Sequence, residues 1–189
     1  MAPIEQIRTP RVLLRGWRSE DLDPFAEMSA DPEVMRHFPA TLTRAECAAM
    51  IDRIGRHFAE RGFGLWAAEL PGVAPFIGFV GLAVPRFEAP FTPCVEIAWR
   101  LGRAHWGHGY VTEAGRALLR HGFTALGLDQ IYSFTVPANL RSRAVMERLG
   151  LRHSPNEDFD HPLLVEGHPL RRHVLYRIRR EEFLTMGGA

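Results

Sequence analysis

Lysine is absent from this 189-residue chain, and all 23 basic residues are arginine. That removes Schiff-base chemistry and an ammonium base. It also removes the nucleotide-binding P-loop, which needs a lysine after its second glycine. Cysteine is scarce as well. Cys47 and Cys94 stand far apart with no metal-ligand or C-x-x-C spacing, so a disulfide framework is excluded and reduced thiols are expected. With 22 acidic residues the net charge is +1, which leaves no electrostatic footprint for nucleic acid. No apolar run approaches the length of a membrane span, and no leader-peptide pattern opens the chain. These absences point to a cytoplasmic protein without nucleic-acid or membrane partners. The length suits one domain, expected over residues 1–185 with a short flexible tail at 186–189.

What is present is organised around Arg103-Ala-His-Trp-Gly-His-Gly-Tyr-Val-Thr-Glu-Ala114. An alternating strand, Val95 to Leu101, runs into it. A helical pattern leaves it, with Val111, Ala114, Leu118, Gly122 and Leu126 on one face. Between them Gly107 and Gly109 are separated by one residue. The first N–H groups of a helix have no internal partner, and the dipole there favours negative charge. Glycines let backbone approach a phosphate without a Cβ in the way. A tight turn that binds nothing and a diphosphate cradle both fit this local pattern. The dinucleotide fingerprint does not, because its third glycine would fall on Thr112.

The remaining elements follow in order. Arg11 to Trp17 reads as a first strand, and Ser19 as the N-cap of a helix through Phe25 and Met28. Val34, Met35 and Phe38 form an apolar connector. Thr43 and Glu46 make a capping-box pattern for a helix that Gly62 stops. Phe63 to Leu70 and Phe76 to Val84 are strands joined through Pro71-Gly72. After the central helix, Gln130 to Val136 is a strand, and Asn139 caps a helix over Leu140 to Leu149. Leu151 to His153 and Arg172 to Arg179 are the arms of a last hairpin, joined by the long segment 154–170. Hairpin-joined strands are antiparallel, while those flanking the central helix run parallel through a right-handed crossover. The fold class is α/β, strictly α+β: a mixed, mostly antiparallel sheet of about seven strands with about four helices.

This order resembles the GNAT superfamily of acetyl-CoA-dependent N-acyltransferases, and more narrowly its ribosomal-protein N-terminal acetyltransferase branch. The resemblance spans nearly the whole chain. It rests on Arg11-Val-Leu-Leu-Arg15, Asp31-Pro-Glu-Val-Met35, Glu96-Ile-Ala-Trp99, Trp106-Gly-His-Gly-Tyr110 with Thr112-Glu-Ala114, and Asn139-Leu-Arg-Ser142 followed by Leu149-Gly150. Two positions depart from the wider superfamily. Ala104 stands where Gln or Arg often precedes the glycine loop, and Met146 where a tyrosine often acts as general acid. In the ribosomal branch the Asn-x-x-Ser serine, here Ser142, is assigned that role.

The resemblance implies acetyl-CoA as co-substrate, lying where the parallel strands splay apart. Its diphosphate would sit on the amides of Trp106, Gly107, His108, Gly109, Tyr110 and Val111. Its pantetheine arm would pair with backbone from Trp99 to Leu101, near Asn139 and Ser142. Removing the amine proton needs a base or a water chain, and Glu96, opposite in facing to Val95 and Ile97, is the candidate. Ser142 is the candidate donor to the leaving sulfur, and an N–H of Ala98 or Trp99 the candidate donor to the developing oxyanion. Met35 and Phe38, with Asp160 and His161 from the acidic segment Asn156 to His161, are the candidate acceptor residues. The acceptor is an amine, on a protein N-terminus or a small molecule. No metal is expected, since the histidine spacings match no ligand set. A homodimer is compatible with these features. An acyl-CoA-binding regulator without turnover is the alternative, motivated by Met146.

Overall fold

Alternating strands at 96–101 and 172–179 and continuous apolar ones at 65–70 and 74–83 join one nine-stranded sheet in the computed structural model, which describes residues 4–187. The strands are β1 (Ile7–Arg8), β2 (Leu13–Arg15), β3 (Leu65–Leu70), β4 (Ala74–Ala83), β5 (Glu96–Leu101), β6 (Gln130–Thr135), β7 (Arg152–His153), β8 (Phe159–Asp160) and β9 (Arg172–Arg179). They lie in the order β1-β2-β3-β4-β5-β6-β9-β7, with β8 also paired to β9. Every pairing is antiparallel except β5 with β6. The helices are α1 (Leu22–Ala30), α2 (Arg44–Arg61), α3 (Tyr110–Thr124), α4 (Leu140–Arg148) and α5 (Arg180–Thr185).

One face of the sheet carries Val12, Leu14, Trp66, Leu82, Ile97 and Ile131, buried together with Ala114, Leu118 and Leu119 of α3. Leu118 is fully buried, so its truncation to alanine should cost about 2–5 kcal/mol. On the other face α1 and α2 cover β3 and β4 through Phe25, Met28, Cys47, Ala67 and Phe79. Further along that face Tyr132, Phe159 and Leu175 pack with Phe87, Phe91 and Phe134. Arg15 ties β2 to the start of α1. Its guanidinium donates to Asp21 at 2.7 and 2.8 Å, to Glu69 at 2.6 Å and to the Pro75 carbonyl, and the Asp21 hydrogen bond leads in raising its pKa against burial. A buried guanidinium is tolerable when its donors are matched in this way.

The sequence predicts seven strands and four helices, and the structure adds β1, β8 and α5. The two strands are two residues each, too short for alternation to show. Helix α5 is six residues with only Phe183 buried. Two boundaries also change. The first strand shrinks to Leu13–Arg15, and Ser19 does not cap α1. Its hydroxyl donates to Glu20, while the Asp21 carboxylate accepts the Arg18 N–H at 2.8 Å. Thr43 and Glu46 do form the capping box. Of the expected tail, Met186 ends α5 with its N–H on the Glu182 carbonyl, and residues 188–189 lie outside the described residues.

Candidate active site

Strands β5 and β6 run parallel but register at one pair only, Glu96 opposite Tyr132. The Tyr132 N–H reaches the Val95 carbonyl at 2.9 Å, and the Ser133 hydroxyl then spans the widening gap to the Ile97 carbonyl at 2.9 Å. Beyond Ile97 the strands part. Backbone groups alternate sides along a strand, so Glu96, Ala98 and Arg100 spend theirs on β4, while Trp99 and Leu101 turn toward the split. The Leu101 carbonyl accepts the Trp106 indole N–H at 2.8 Å. The N–H and carbonyl of Trp99 are left facing the opening with no β6 partner. Of the two candidate oxyanion donors, Trp99 therefore has the free N–H, and Ala98 is committed to the sheet.

The split leads to the glycine loop. Gly107 and Gly109 both have left-handed backbones, with φ of 80° and 79°, which a Cβ would strain. A Cβ at Gly107 would meet nothing within 4 Å, and one at Gly109 only an Arg11 nitrogen at 3.6 Å. The space in front of the loop is thus open. The amides of Tyr110, Val111 and Thr112 open α3 and have no helical partner. Among the described residues no backbone acceptor meets the amides of Gly107, His108 or Gly109. This concentration of unpaired N–H groups around a Cβ-free space fits a diphosphate. The His108 ring stacks on Tyr110 with centroids 5.5 Å apart, and Trp106 and Val111 pack against the core.

Side chains gather on either side of the split. Glu96 keeps partial contact with solvent, but burial pushes its carboxyl up from 4.5 to about 8. Cys94 is held up to about 12, first by burial and then by Glu96, so no thiolate nucleophile is available there. Asn139 caps α4, its Oδ1 accepting the Ser142 N–H at 3.2 Å and its Nδ2 donating to the Thr135 hydroxyl at 3.0 Å. The Ser142 hydroxyl itself is partly exposed and makes no hydrogen bond among the described residues. Met146 is buried at 1% exposure in the main core and takes no part in the cleft.

A family model described as an acetyltransferase (GNAT) domain matches residues 11–152. The chain belongs to the GNAT acetyltransferase family. Among curated relatives, the FsC-acetyl coenzyme A-N(2)-transacetylase of Aspergillus fumigatus is 37% identical over 133 residues, covering 66% of this chain and 54% of that protein. YnaD of Bacillus subtilis, an uncharacterized N-acetyltransferase, is 27% identical over 180 residues, covering 94% and 98%. Among solved structures, a GNAT acetyltransferase from Bacillus anthracis superposes with TM-score 0.76 at 23% identity, covering 94% and 99% of the two chains. RimJ of Mycobacterium smegmatis in complex with CoA-disulfide gives 0.71 at 22% identity, covering 97% and 93%. At such identities the structural likeness speaks for the fold.

In this GNAT acetyltransferase two of the predicted acceptor residues, Phe38 and His161, lie on the Glu96 face of the sheet. Met35 is buried, and Phe38 is 38% exposed above β5. On the far side His161 joins the aromatic cluster, 4.5 Å from the Phe87 ring and 5.0 Å from His173. Burial, then His173, lowers its pKa. Asp160 is exposed. The acidic segment is not an open anionic surface. Glu157 pairs with Arg177 at 2.9 Å, Asp158 with His153 at 2.7 Å, and Asp160 with Arg171 at 3.7 Å and Arg172 at 3.4 Å. Each acid already faces a basic side chain. No group of three histidine, cysteine or carboxylate side chains among the described residues is placed to hold a metal ion.

Sequence reasoning also missed three arginines that the structure brings to this region. Arg11 latches the glycine loop, donating to Glu113 at 2.6 Å and to the His108 carbonyl at 3.0 Å, while the Thr9 hydroxyl reaches Glu113 at 2.6 Å. Burial opposes ionisation of Glu113, but these hydrogen bonds together hold its pKa below the usual value. Arg141 of α4 lies 4.6 Å over the Trp106 ring, bridging the mouth of the split. Arg100 lies under Phe38. No local pattern announces Arg11 or Arg141. Arg100 was detectable, since it shares the alternation of Glu96 and Ala98 and so puts a charge on a covered face.

Proposed function

We propose that this acetyltransferase uses acetyl-CoA to acetylate a primary amine by direct attack within a ternary complex. The observation that carries the reading is the β5–β6 split, whose unpartnered Trp99 backbone leads straight to the unpaired amides at Gly107–Thr112. An extended amide-bearing arm donates to the Trp99 carbonyl, and a diphosphate takes the second. Acetyl-CoA would supply the acyl group as a thioester. The chain's own groups supply the rest: Glu96 takes the amine proton through a water, and the Trp99 N–H meets the charge developing on the carbonyl oxygen. The amine nitrogen bonds the acyl carbon, the carbon–sulfur bond breaks, and the sulfur takes a proton from the Ser142 hydroxyl, which solvent restores. Positioning of the two reactants supplies much of the rate. Met35, Phe38 and His161 line the acceptor approach, with Asp160 at its rim.

Release of free CoA from acetyl-CoA, followed with a panel of amines and peptide N-termini, tests this directly. Amine-dependent release with the acetylated amine as product is expected. Tight acetyl-CoA binding by calorimetry with no release from any amine would replace the reading with a non-catalytic acyl-CoA binder.

A further inference from the structure

Arg100 is a buried cation that the protein leaves unmatched. It is 8% exposed, and among the described residues no carboxylate lies within ion-pair distance of it. Its one hydrogen bond runs from Nη1 to the Ser29 hydroxyl at a long 3.4 Å. Its Nε is buried with no partner. The guanidinium lies 4.2 Å from the Phe38 ring and 5.4 Å from the Phe79 ring, which hold its plane without using its N–H donors. Burial lowers its pKa to about 10, so it stays charged at neutral pH. The contrast with Arg15 is direct. Where a buried guanidinium serves the fold, this chain gives it two carboxylates and two carbonyls.

The location of Arg100 gives the missing partner a meaning. Glu96, Ala98 and Arg100 share one face of β5, spanning about 13 Å at roughly 3.3 Å per residue. Ala98 between them is small and partly open, which leaves a gap over the point where Trp99 meets the split. A molecule bridging that gap presents its amine toward Glu96 and its other end toward Arg100. A carboxylate matches a planar guanidinium with free donors, through paired charge-assisted hydrogen bonds. Phe38, partly exposed above the guanidinium, excludes water from the pair.

We propose that Arg100 binds a carboxylate on the acceptor, so that the amine acetylated here belongs to an amino acid or a similarly small amino-carboxylate. This deepens the acetyltransferase reading and rests on it. The amine is acetylated as above; the carboxylate takes no part in the bond changes and fixes which amine is presented.

The test pairs free amino acids with their carboxamides in the CoA-release assay, using wild type, Arg100→Met and Arg100→Lys. Wild type should prefer the acids by about 10²-fold or more in kcat/KM, because a site built around a buried polar group rejects the analogue that leaves it unpaired. Arg100→Met should raise KM for the acids by a similar factor and leave the amides unchanged. Arg100→Lys should recover part of the loss, having the charge without the fork. Acetyl-CoA affinity should be the same in all three. Equal use of acids and amides by wild type, or an unaltered acid KM in a folded Arg100→Met or Arg100→Lys, overturns the proposal. Calorimetric titration of the same acids into the CoA-loaded protein separates this proposal from the reading beneath it. If no amine releases CoA, acetyl transfer fails; saturable acid binding that Arg100→Met loses still supports Arg100, and no acid binding refutes it. A purely structural Arg100 would show instead as a lower melting temperature in Arg100→Met with acid recognition intact.

Discussion

Replacing Glu96 with glutamine removes one titrating proton from the middle of the sheet, and the structure fixes how stability and rate should both respond. Burial raises the carboxyl from 4.5 to about 8 in the folded protein. Between those values the unfolded chain releases its proton while the folded chain retains it. The contribution to stability is therefore complete below 4.5 and is lost as pH rises to about 8. At 1.36 kcal/mol per pH unit the loss totals roughly 5 kcal/mol, an upper limit because the carboxyl keeps some solvent contact. That is a large share of a typical folding free energy of about 5–15 kcal/mol. Glu96→Gln should then match wild type at pH 5 and exceed it at pH 9 by a few kcal/mol, roughly 10 °C in Tm for a chain of this size. Circular dichroism melts of the two proteins across pH read this without any substrate. Wild-type kcat/KM, which reports the free enzyme, should rise toward an apparent pKa near 8, with about one tenth of Glu96 ionised at pH 7, and Glu96→Gln should lose about 10²-fold in kcat along with that limb. Stability curves that stay parallel from pH 5 to pH 9 would show that the carboxyl is not destabilised by burial, and the argument for a poised base would fall with them.

Gly109→Trp should abolish acetyl-CoA binding by calorimetry while the protein stays folded, since its bulk fills the open space before the loop; unchanged affinity would remove the cradle. Arg11→Ala should cost about 1 kcal/mol or less in stability, because the Arg11–Glu113 pair is half exposed, yet weaken acetyl-CoA binding by freeing the loop, so unaltered affinity would reduce the latch to decoration. Ser142→Ala should lower kcat without changing acetyl-CoA affinity if the hydroxyl protonates the sulfur, and a wild-type kcat would pass that role to solvent. Neutralising Glu157, Asp158 and Asp160 together should leave the amine KM unchanged at every salt concentration, because each acid is already paired; a KM that rises at low salt would make them the amine's counter-charges.

The sequence by itself determined what depends on near neighbours. The alternation of Val95 to Leu101, the glycines at 107 and 109, the helical face from Val111 and the Thr43–Glu46 cap are each set by backbone geometry over a few residues. Those local rules placed the glycine loop at the start of α3 and the face of Glu96, while the splayed strand pair was implied only by the family resemblance. At Ser19 the local rule failed, because Asp21, held by Arg15 from another element, takes the Arg18 N–H instead. The charges of the site were decided elsewhere. Arg11 meets Glu113, Arg141 meets Trp106 and Arg177 meets Glu157 only after the chain has closed on itself. Whether an ion is paired, stacked or stranded depends on what surrounds it in space, and so does the pKa of Glu96 and the unmatched state of Arg100. Residue type and spacing cannot report a dielectric environment, which arises from packing of segments many residues apart.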